Sequence, residues 1–256
     1  EGVEGKYYVF SYDEIKNIKD IEQYFDIKKE GNWENKIILR ELKPATDYIV
    51  LELKKLREKK TKPFFDNKSQ LDLNCLWVSA LISAEKVIPK NDFLRIAENY
   101  YKNIENIFFN KKKLQHTPKN SDVFLEDYAY SIAMLLDLYD LTLKPNYLFK
   151  AKELCKNSID LFYIKEKSIF QKNVVETNDI FHKPIDISDG NIPNGNSIML
   201  LNFSRLKMRS EAKILSESLN GYLNIYKSLM VSALKSLDYF ETMDSSKNCT
   251  DEGCLI

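Results

Sequence analysis

The chain has 256 residues, with 38 Lys or Arg and 38 Asp or Glu, so its formal net charge is zero. A neutral chain has no long-range field that draws it to nucleic acid or to an anionic membrane, and we expect neither as a partner. Hydrophobic residues make up 44%, and only 7 Gly and 7 Pro are present, which excludes a disordered chain and disfavours a loop-rich β fold.

Taken in chain order, the sequence begins with β-prone segments and continues with helices. Residues 6–10 and 36–39 are predicted strands, and Ser11 with Glu14 forms a capping box that predicts a short helix from Tyr12. Apolar residues recur with helical spacing from Pro44 onward. Helices are predicted at 47–60, 71–87, 92–109, 122–143, 146–162, 194–207 and 210–237, the last interrupted near 220–221, and a short strand at 164–170.

The predicted helices come in pairs, each with one apolar and one more polar member. This pattern is typical of stacked αα-hairpins, and the lack of a fixed short repeat favours a toroid over a TPR-like array. We therefore predict a mainly α fold with a small β element near the N-terminus. The domain limits are a toroid portion at 1–237, divided into a β-containing segment at 1–43 and hairpins at 44–237, and a polar tail at 238–256.

Histidine and cysteine content limits the metal chemistry. Two histidines, His116 and His182, exclude a three-histidine site, and both are interpreted as surface residues of polar loops. Cys249 and Cys254 form a C-x4-C pair that suits a metal or a small disulfide loop, but one pair cannot complete a zinc site. The other two cysteines lie in amphipathic runs, as buried thiols do. We expect no metal and no cofactor.

Targeting signals are absent from the sequence as given. No segment approaches the roughly 20 apolar residues of a membrane span. Residues 1–5 have neither the basic start nor the apolar core of a signal peptide, and they lack an initiator Met. We expect a cytoplasmic protein, and a chain that is processed or is a piece of something longer.

Carboxylates at the start of the predicted helix 122–143 form the first candidate site. On a helical wheel, Glu126, Asp127 and Tyr130 lie opposite the main apolar stripe. Carboxylates beside an aromatic ring suit the lining of a sugar-binding cavity. The alternative is that the two acids only complement the helix dipole.

Two further carboxylates, Asp66 and Asp189, lie in loops that precede apolar helices. Alternate helix starts share one end of a stack of αα-hairpins, so these loops are expected to meet near Glu126 and Asp127. Glycoside hydrolysis needs two carboxyl groups roughly 5–10 Å apart. The candidate catalytic residues are therefore Asp66, Glu126, Asp127 and Asp189, with capping and turn roles as the alternative.

Polar residues at helix starts are the candidate substrate-binding residues. Residues 194–197 open a helix, and free backbone N–H groups at such a start can hold an anion or a sugar hydroxyl. The candidate set is Asn74, Tyr130, Asn196 and Ser197. Simple capping is the alternative.

Five segments carry a family resemblance: EGVEGKYYVF at 1–10, GNWENKIIL at 31–39, the block from Arg57 to Leu76, FLEDYA at 124–129 and DGNIPNGNS at 189–197. In order and spacing they resemble the thioredoxin-domain family that includes bacterial YyaL and mammalian spermatogenesis-associated protein 20. Members carry a thioredoxin-like domain followed by an (α/α)6 toroid related to six-hairpin glycosidases and sugar 2-epimerases. The resemblance implies an incomplete (α/α)6 toroid here, a thioredoxin-like domain before Glu1, and the binding or processing of a carbohydrate.

The chain departs from the family pattern inside its motifs. Asn67, Leu73 and Cys75 stand where the family has Asp, Trp and Gly, and Ser188 stands where it has Tyr. These departures favour a non-catalytic helical scaffold or binding module that partners a thioredoxin-like domain. Two interpretations therefore stay open: a glycosidase- or epimerase-like enzyme, and that binding module.

Overall fold

The computed structural model describes residues 4–89, 91–110, 113–118, 122–174, 184–245, 249–250 and 253–254. Internal contacts divide the chain into two compact units, Glu1–Asn67 and Lys68–Ile256. Neither His182 nor the side chains of Cys249 and Cys254 belong to the described part, so the predictions for them lie outside it. The other two cysteines are buried thiols, as predicted.

The first unit packs helix α1 (Tyr12–Ile15) and helix α2 (Asp47–Glu58) around a small apolar core that includes Phe10 and Ile37. The predicted capping box is present, because Ser11 N–H donates to Glu14 Oε2 at 2.6 Å. The predicted strands at 6–10 and 36–39 meet in a single bridge between Phe10 and Ile37, with N–H···O distances of 3.0 and 2.7 Å.

The second unit is a series of helices with small hairpins between them. The helices are α3 (Leu71–Val87), α4 (Phe93–Phe108), α5 (Leu125–Thr142), α6 (Pro145–Phe162), α7 (Gly195–Arg205), α8 (Arg209–Tyr226) and α9 (Val231–Ser245). Antiparallel two-residue strands form the hairpins β1 (Phe109–Asn110) with β2 (Lys113–Leu114), β3 (Tyr163–Ile164) with β4 (Ile169–Phe170), and β5 (Cys249–Thr250) with β6 (Gly253–Cys254).

The helices form an inner and an outer layer. Helix α3 packs against α4 and α5, α5 packs against α6 and α7, and α7 packs against α8 and α9. Helix α5 is buried on nearly every side, from Tyr128 to Leu138, whereas the outer helices are amphipathic. The prediction of a mainly α, incomplete toroid is confirmed, since the described residues supply four inner helices where a closed (α/α)6 toroid has six.

One predicted boundary is wrong. The long helix predicted at 210–237 is interrupted by a 3-10 turn at Lys227–Met230 and not near Asn220, which lies inside α8. Leu219, beside Asn220, is fully buried, so packing of α8 overrides the weak helix preference of the Asn-Gly pair. No helix of the described residues is long and apolar enough to cross a membrane.

Candidate active site

The inner helices begin at one end of the second unit. Leu71 N–H, at the start of α3, donates to the carbonyl of His116 at 2.9 Å. Gly195 N–H, at the start of α7, donates to Glu126 Oε1, in the first turn of α5, at 3.2 Å. Between these helix starts lies a cavity of about 310 Å³, lined by Asp72, His116, Phe124, Glu126, Lys172, Asp186 and part of the loop 188–194.

Glu126 is the predicted site residue that lines this cavity. Its carboxyl group is oriented by Gly195 N–H. Burial raises the pKa of Glu126 and Asp186 raises it further, while the hydrogen bond from Gly195 and the charge of Lys172 oppose the rise. A carboxyl group in these surroundings stays protonated to higher pH than usual and can serve as a proton donor.

Replacing Gly195 with alanine is expected to destabilise the unit by about 1–3 kcal/mol and to displace Glu126. A Cβ at this position would lie 2.8 Å from the side chain of Leu125, which is 1% exposed, and 3.1 Å from Glu126 Oε1. Urea unfolding measures the loss. The same change at Gly190, where a Cβ meets nothing within 4 Å, is the matched control; equal stability of the two variants would contradict the expectation.

Asp127 forms the buried centre of a hydrogen-bond chain. Its carboxylate accepts from Phe124 N–H at 2.9 Å and from His116 Nδ1 at 3.0 Å, and it is 0% exposed. His116 Nε2 lies 2.9 Å from Gln70 Nε2, so the amide donates to that ring nitrogen when Nδ1 carries the proton. Burial raises the pKa of Asp127, although the hydrogen bonds from His116 and Phe124 oppose the rise.

The prediction that His116 is a surface residue is wrong. Its side chain is 16% exposed and its ring contacts the ring of Phe124 edge-on, with 4.8 Å between centroids. The chain that leaves β2 is folded over the helix starts, because His116 N–H donates to the carbonyl of Asp122 and its own carbonyl accepts from Leu71. The segment around His116, predicted to be a polar surface loop, therefore packs inside the protein against the helix starts.

Asp72, His116 and Asp127 form the one cluster of possible metal ligands in the described part of the chain, with ligand atoms within 4.8 Å of one another. Both ring nitrogens of His116 are engaged, by Asp127 and by Gln70. A metal bound through the histidine would have to displace one of these hydrogen bonds. His116 and Asp127 therefore serve the hydrogen-bond chain, and Asp72 lies close to them.

Lys172 and Asp186 form an ion pair on the cavity wall. Lys172 Nζ lies 3.0 Å from Asp186 Oδ2, and that hydrogen bond is the main cause of the raised pKa of Lys172. The backbone of Lys172 also donates to Pro184 and accepts from Leu125 N–H at the start of α5. The pair therefore holds a cation and a carboxylate beside Glu126. Sequence reasoning missed both residues, since neither lies at a helix start.

The candidate binding residues Asn196 and Ser197 lie inside the protein. Asn196 is 0% exposed, accepts from Phe170 N–H, and donates to the carbonyls of Phe170 and Asp186, each at 3.0 Å. Ser197 N–H donates to the side chain of Asn194, the N-cap of α7, at 3.0 Å. These side chains fasten the loop 186–194 to α7 and β4.

Asp189 and Tyr130 fasten the same loop. Asp189 accepts from Asn194 N–H at 3.0 Å and from Ser232 N–H, at the start of α9, at 2.8 Å. The hydroxyl of Tyr130 donates to the carbonyl of Pro193 at 2.5 Å. The loop wall of the cavity is thus held in place by several independent bonds.

The two remaining candidates lie elsewhere. Asn74 donates to the carbonyl of Gln70 at 2.7 Å and to Ser69 Oγ at 3.1 Å, within the beginning of α3. Asp66 is exposed and belongs to the first unit, whereas every residue that lines the cavity belongs to the second. The structure therefore brings the helix starts of α3, α5 and α7 together without giving Asp66 a place in the cavity wall.

Comparisons with known proteins give the fold. No protein-family model matches the chain. The chain is 26% identical to the uncharacterised protein B0495.5 of Caenorhabditis elegans, over 80% of this chain and 35% of that protein, so it spans about a third of that relative.

Solved structures of two enzymes of Bacteroides thetaiotaomicron share the helical arrangement. The glycoside hydrolase family 76 α-mannanase BT2949 is 14% identical with a TM-score of 0.57, over 73% of this chain and 56% of that chain. The family 76 mannosidase Bt3792 is 16% identical with a TM-score of 0.52, over 72% and 59%. The chain thus has the α/α toroid fold of these two enzymes and spans less than two thirds of the length of either.

Proposed function

We propose that the second unit binds a carbohydrate in the cavity at the helix starts, with Glu126 as the acid–base group. The observation that carries the proposal is the partly buried carboxyl of Glu126, oriented by Gly195 and facing a cavity that also contains the Lys172–Asp186 pair. The toroid fold shared with mannan-degrading enzymes supports a sugar as the ligand. The ring of Phe124 adds an apolar surface to the same wall.

The arrangement suits glycoside hydrolysis, which uses one carboxylic acid and one carboxylate. Glu126, with its raised pKa, would donate a proton to the glycosidic oxygen. Asp186, which pairs with the Lys172 ammonium, would act as the base or nucleophile. Enzymes usually separate the roles of acid and base by placing the two carboxyl groups in different electrostatic environments.

Replacing Glu126 with glutamine is expected to lower kcat/KM on the best substrate by about 10²–10⁴-fold, because the amide cannot donate a carboxyl proton. The measurement is turnover of a panel of aryl glycosides and mannooligosaccharides, after folding has been checked by circular dichroism. Glu217→Gln, the same change on the exposed face of the outer helix α8, is the matched control. Unchanged turnover in Glu126→Gln would refute the proposed role.

Stability should also depend on the charge of Glu126. With its pKa raised in the folded state, the native chain holds a proton that the unfolded chain releases, so stability falls as pH rises above the ordinary carboxyl pKa of about 4.3. In Glu126→Gln this fall in stability with rising pH does not occur, because glutamine does not titrate. The stability of this variant relative to the wild type should therefore rise as the pH is raised above about 4.3. Urea unfolding across this range measures it; a difference that does not vary with pH would contradict the assignment.

A non-catalytic binding module is the second candidate function. It is favoured by the engagement of the neighbouring acids: Asp127 is bonded to His116 and Phe124, Asp189 to Asn194 and Ser232, and Asp186 to Lys172. These three carboxylates are then already engaged and less available to act with Glu126 as a second catalytic group. Calorimetry that detects sugar binding, together with product analysis that detects no turnover, would favour this function over the enzyme.

We also propose that the chain is the toroid portion of a cytoplasmic protein of the thioredoxin-domain family, with a thioredoxin-like domain before Glu1. The support is the order of the five motifs, two of which, FLEDYA and DGNIPNGNS, supply residues at one cavity. Mass spectrometry of the endogenous protein from fractionated cells tests this. A protein without an upstream thioredoxin-like sequence, or outside the cytosolic fraction, would contradict it.

A further inference from the structure

The first unit contains a cavity of its own, of about 1110 Å³. Its walls are the segment 4–9, the turn around 33–36 and the segment 59–64 that follows α2. Small-molecule sites usually measure roughly 300–1000 Å³, so this cavity has room for a ligand of several linked rings. It shares no lining residue with the cavity of the second unit.

Aromatic rings line this cavity and face water. Tyr8 is 58% exposed, Trp33 is 43% exposed and Phe64 is 87% exposed, and Tyr7 contacts Tyr8 edge-on with 5.1 Å between ring centroids. A group of exposed aromatic side chains around one cavity is typical of a binding surface. Their flat faces can stack on the C–H faces of sugar rings or on planar rings.

The cavity wall is organised before any ligand binds. Trp33 and Lys36 exchange two backbone hydrogen bonds, of 3.0 and 2.7 Å, in a tight turn. Gly31 precedes this turn with φ +85°, and a Cβ there would lie 2.6 Å from the backbone of Lys36, so the turn requires glycine. Lys60 joins two walls, because its ammonium donates to the carbonyl of Val9 at 2.6 Å and pairs with Glu14 at 2.9 Å.

Positive charge exceeds negative charge along the lining. Lys60 and Glu14 neutralise each other, which leaves two acids, Glu4 and Glu34. Against them stand four lysines that have no ion-pair partner among the described residues, so the excess is 4 − 2 = 2 positive charges: Lys6, Lys36, Lys59 and Lys62. Exposed, flexible ammonium groups around stacking rings suit a ligand that carries several separated anionic groups.

We propose that this cavity binds an acidic saccharide, a short chain of sugar rings that bears carboxylate or sulfate groups. The aromatic faces accept the rings, and the lysines accept the charges spaced along the chain. Nucleic acid combines rings and charge as well, so an octathymidylate is included as the competing ligand in the test below. The proposal is independent of the function proposed for the second unit.

Calorimetry on the full chain tests the proposal with three hexasaccharides: an oligogalacturonide, which carries carboxylates, a chondroitin sulfate fragment, which also carries sulfates, and neutral maltohexaose. At least one acidic probe should bind at least about tenfold more tightly than the neutral one, and the affinity should fall between about 50 and about 200 mM salt. Binding of the oligogalacturonide identifies carboxylate as sufficient; binding of the chondroitin fragment alone identifies sulfate.

Variants locate the site. Trp33→Ala and Lys36→Gln should each lower the affinity for the acidic saccharide at least about fivefold. The effect of Lys36→Gln should be smaller at high salt, because salt screens the charge of the lysine. Matched controls are Trp77→Ala, a half-exposed tryptophan of α3, and Lys54→Gln, an exposed lysine of α2 outside the lining. The proposal would be overturned if neither acidic saccharide binds, or if the control variants lose as much affinity as Trp33→Ala and Lys36→Gln. It would also be overturned if an octathymidylate binds more tightly than the acidic saccharides.

Discussion

Replacing Asp127 with alanine is expected to lower the free energy of unfolding by about 3–5 kcal/mol, the largest effect expected of any single change at the site. The change leaves Phe124 N–H and His116 Nδ1 without their acceptor inside the protein. It also removes the side chain that closes the first turn of α5. Urea unfolding followed by circular dichroism measures the loss, and proton exchange at Phe124 N–H reports it locally.

Two comparison variants separate this network from a general effect of losing a carboxylate. Asp127→Asn keeps an acceptor oxygen at the same place and should lose clearly less stability than Asp127→Ala. Asp160→Ala makes the same change on the exposed face of α6 and should stay within about 0.5 kcal/mol of the wild type. Equal stability of Asp127→Ala and Asp160→Ala would show that the hydrogen bonds of Asp127 do not stabilise the fold by the expected amount.

Replacing Asn196 with alanine is expected to lower the free energy of unfolding by about 3 kcal/mol or more, because it leaves three backbone groups, two of them buried, without the partner that Asn196 provides. These are Phe170 N–H, Phe170 C=O and Asp186 C=O, each bonded to the Asn196 amide at 3.0 Å. Since Asp186 lines the cavity, ligand affinity should fall together with stability. Unfolding midpoints and calorimetry, measured on the same samples, test both effects.

Asn196→Asp provides a sharper test, because aspartate keeps the acceptor for Phe170 N–H but directs a negative charge at two carbonyls. It should be as damaging as alanine at neutral pH and less damaging in acid, where a protonated carboxyl can donate to one of them. Asn220→Ala, on the exposed side of α8, is the control and should be nearly neutral. A loss that is equal at all pH values would show that volume rather than hydrogen bonding matters at this position.

Local patterns explain why most of the fold could be predicted. The apolar spacing of residues 71–87 and 146–162 predicts α3 and α6 almost to the residue, and the capping box at Ser11 predicts the start of α1. The interruption of the helix by a 3-10 turn at Lys227–Met230 could not be predicted, because the turn contains no glycine or proline. Lys227 itself adopts φ 44°, a strained backbone that only tertiary contacts can hold.

The site residues divide in the same way, into those that a local sequence pattern indicates and those that only the folded chain brings together. Glu126 could be found because a carboxylate at a helix start has a sequence signature. His116, Lys172 and Asp186 could not, because they come from three separate segments outside the helix starts and meet only through folding. For Asp189 and Asn196 the sequence left capping and ligand binding open, and their hydrogen bonds are those of loop anchors.

The shared starting end of α3, α5, α7 and α9 has an electrostatic consequence. Each helix start carries about half a positive elementary charge, so four of them together present roughly two at the mouth of the toroid. Carboxylates placed there, such as Asp127 and Asp189, are held by backbone N–H groups whether or not a ligand ever arrives. The acidic residues at this end therefore have a structural reason to be present that is independent of any ligand, because they accept hydrogen bonds from helix-start N–H groups that have no partner within their own helices.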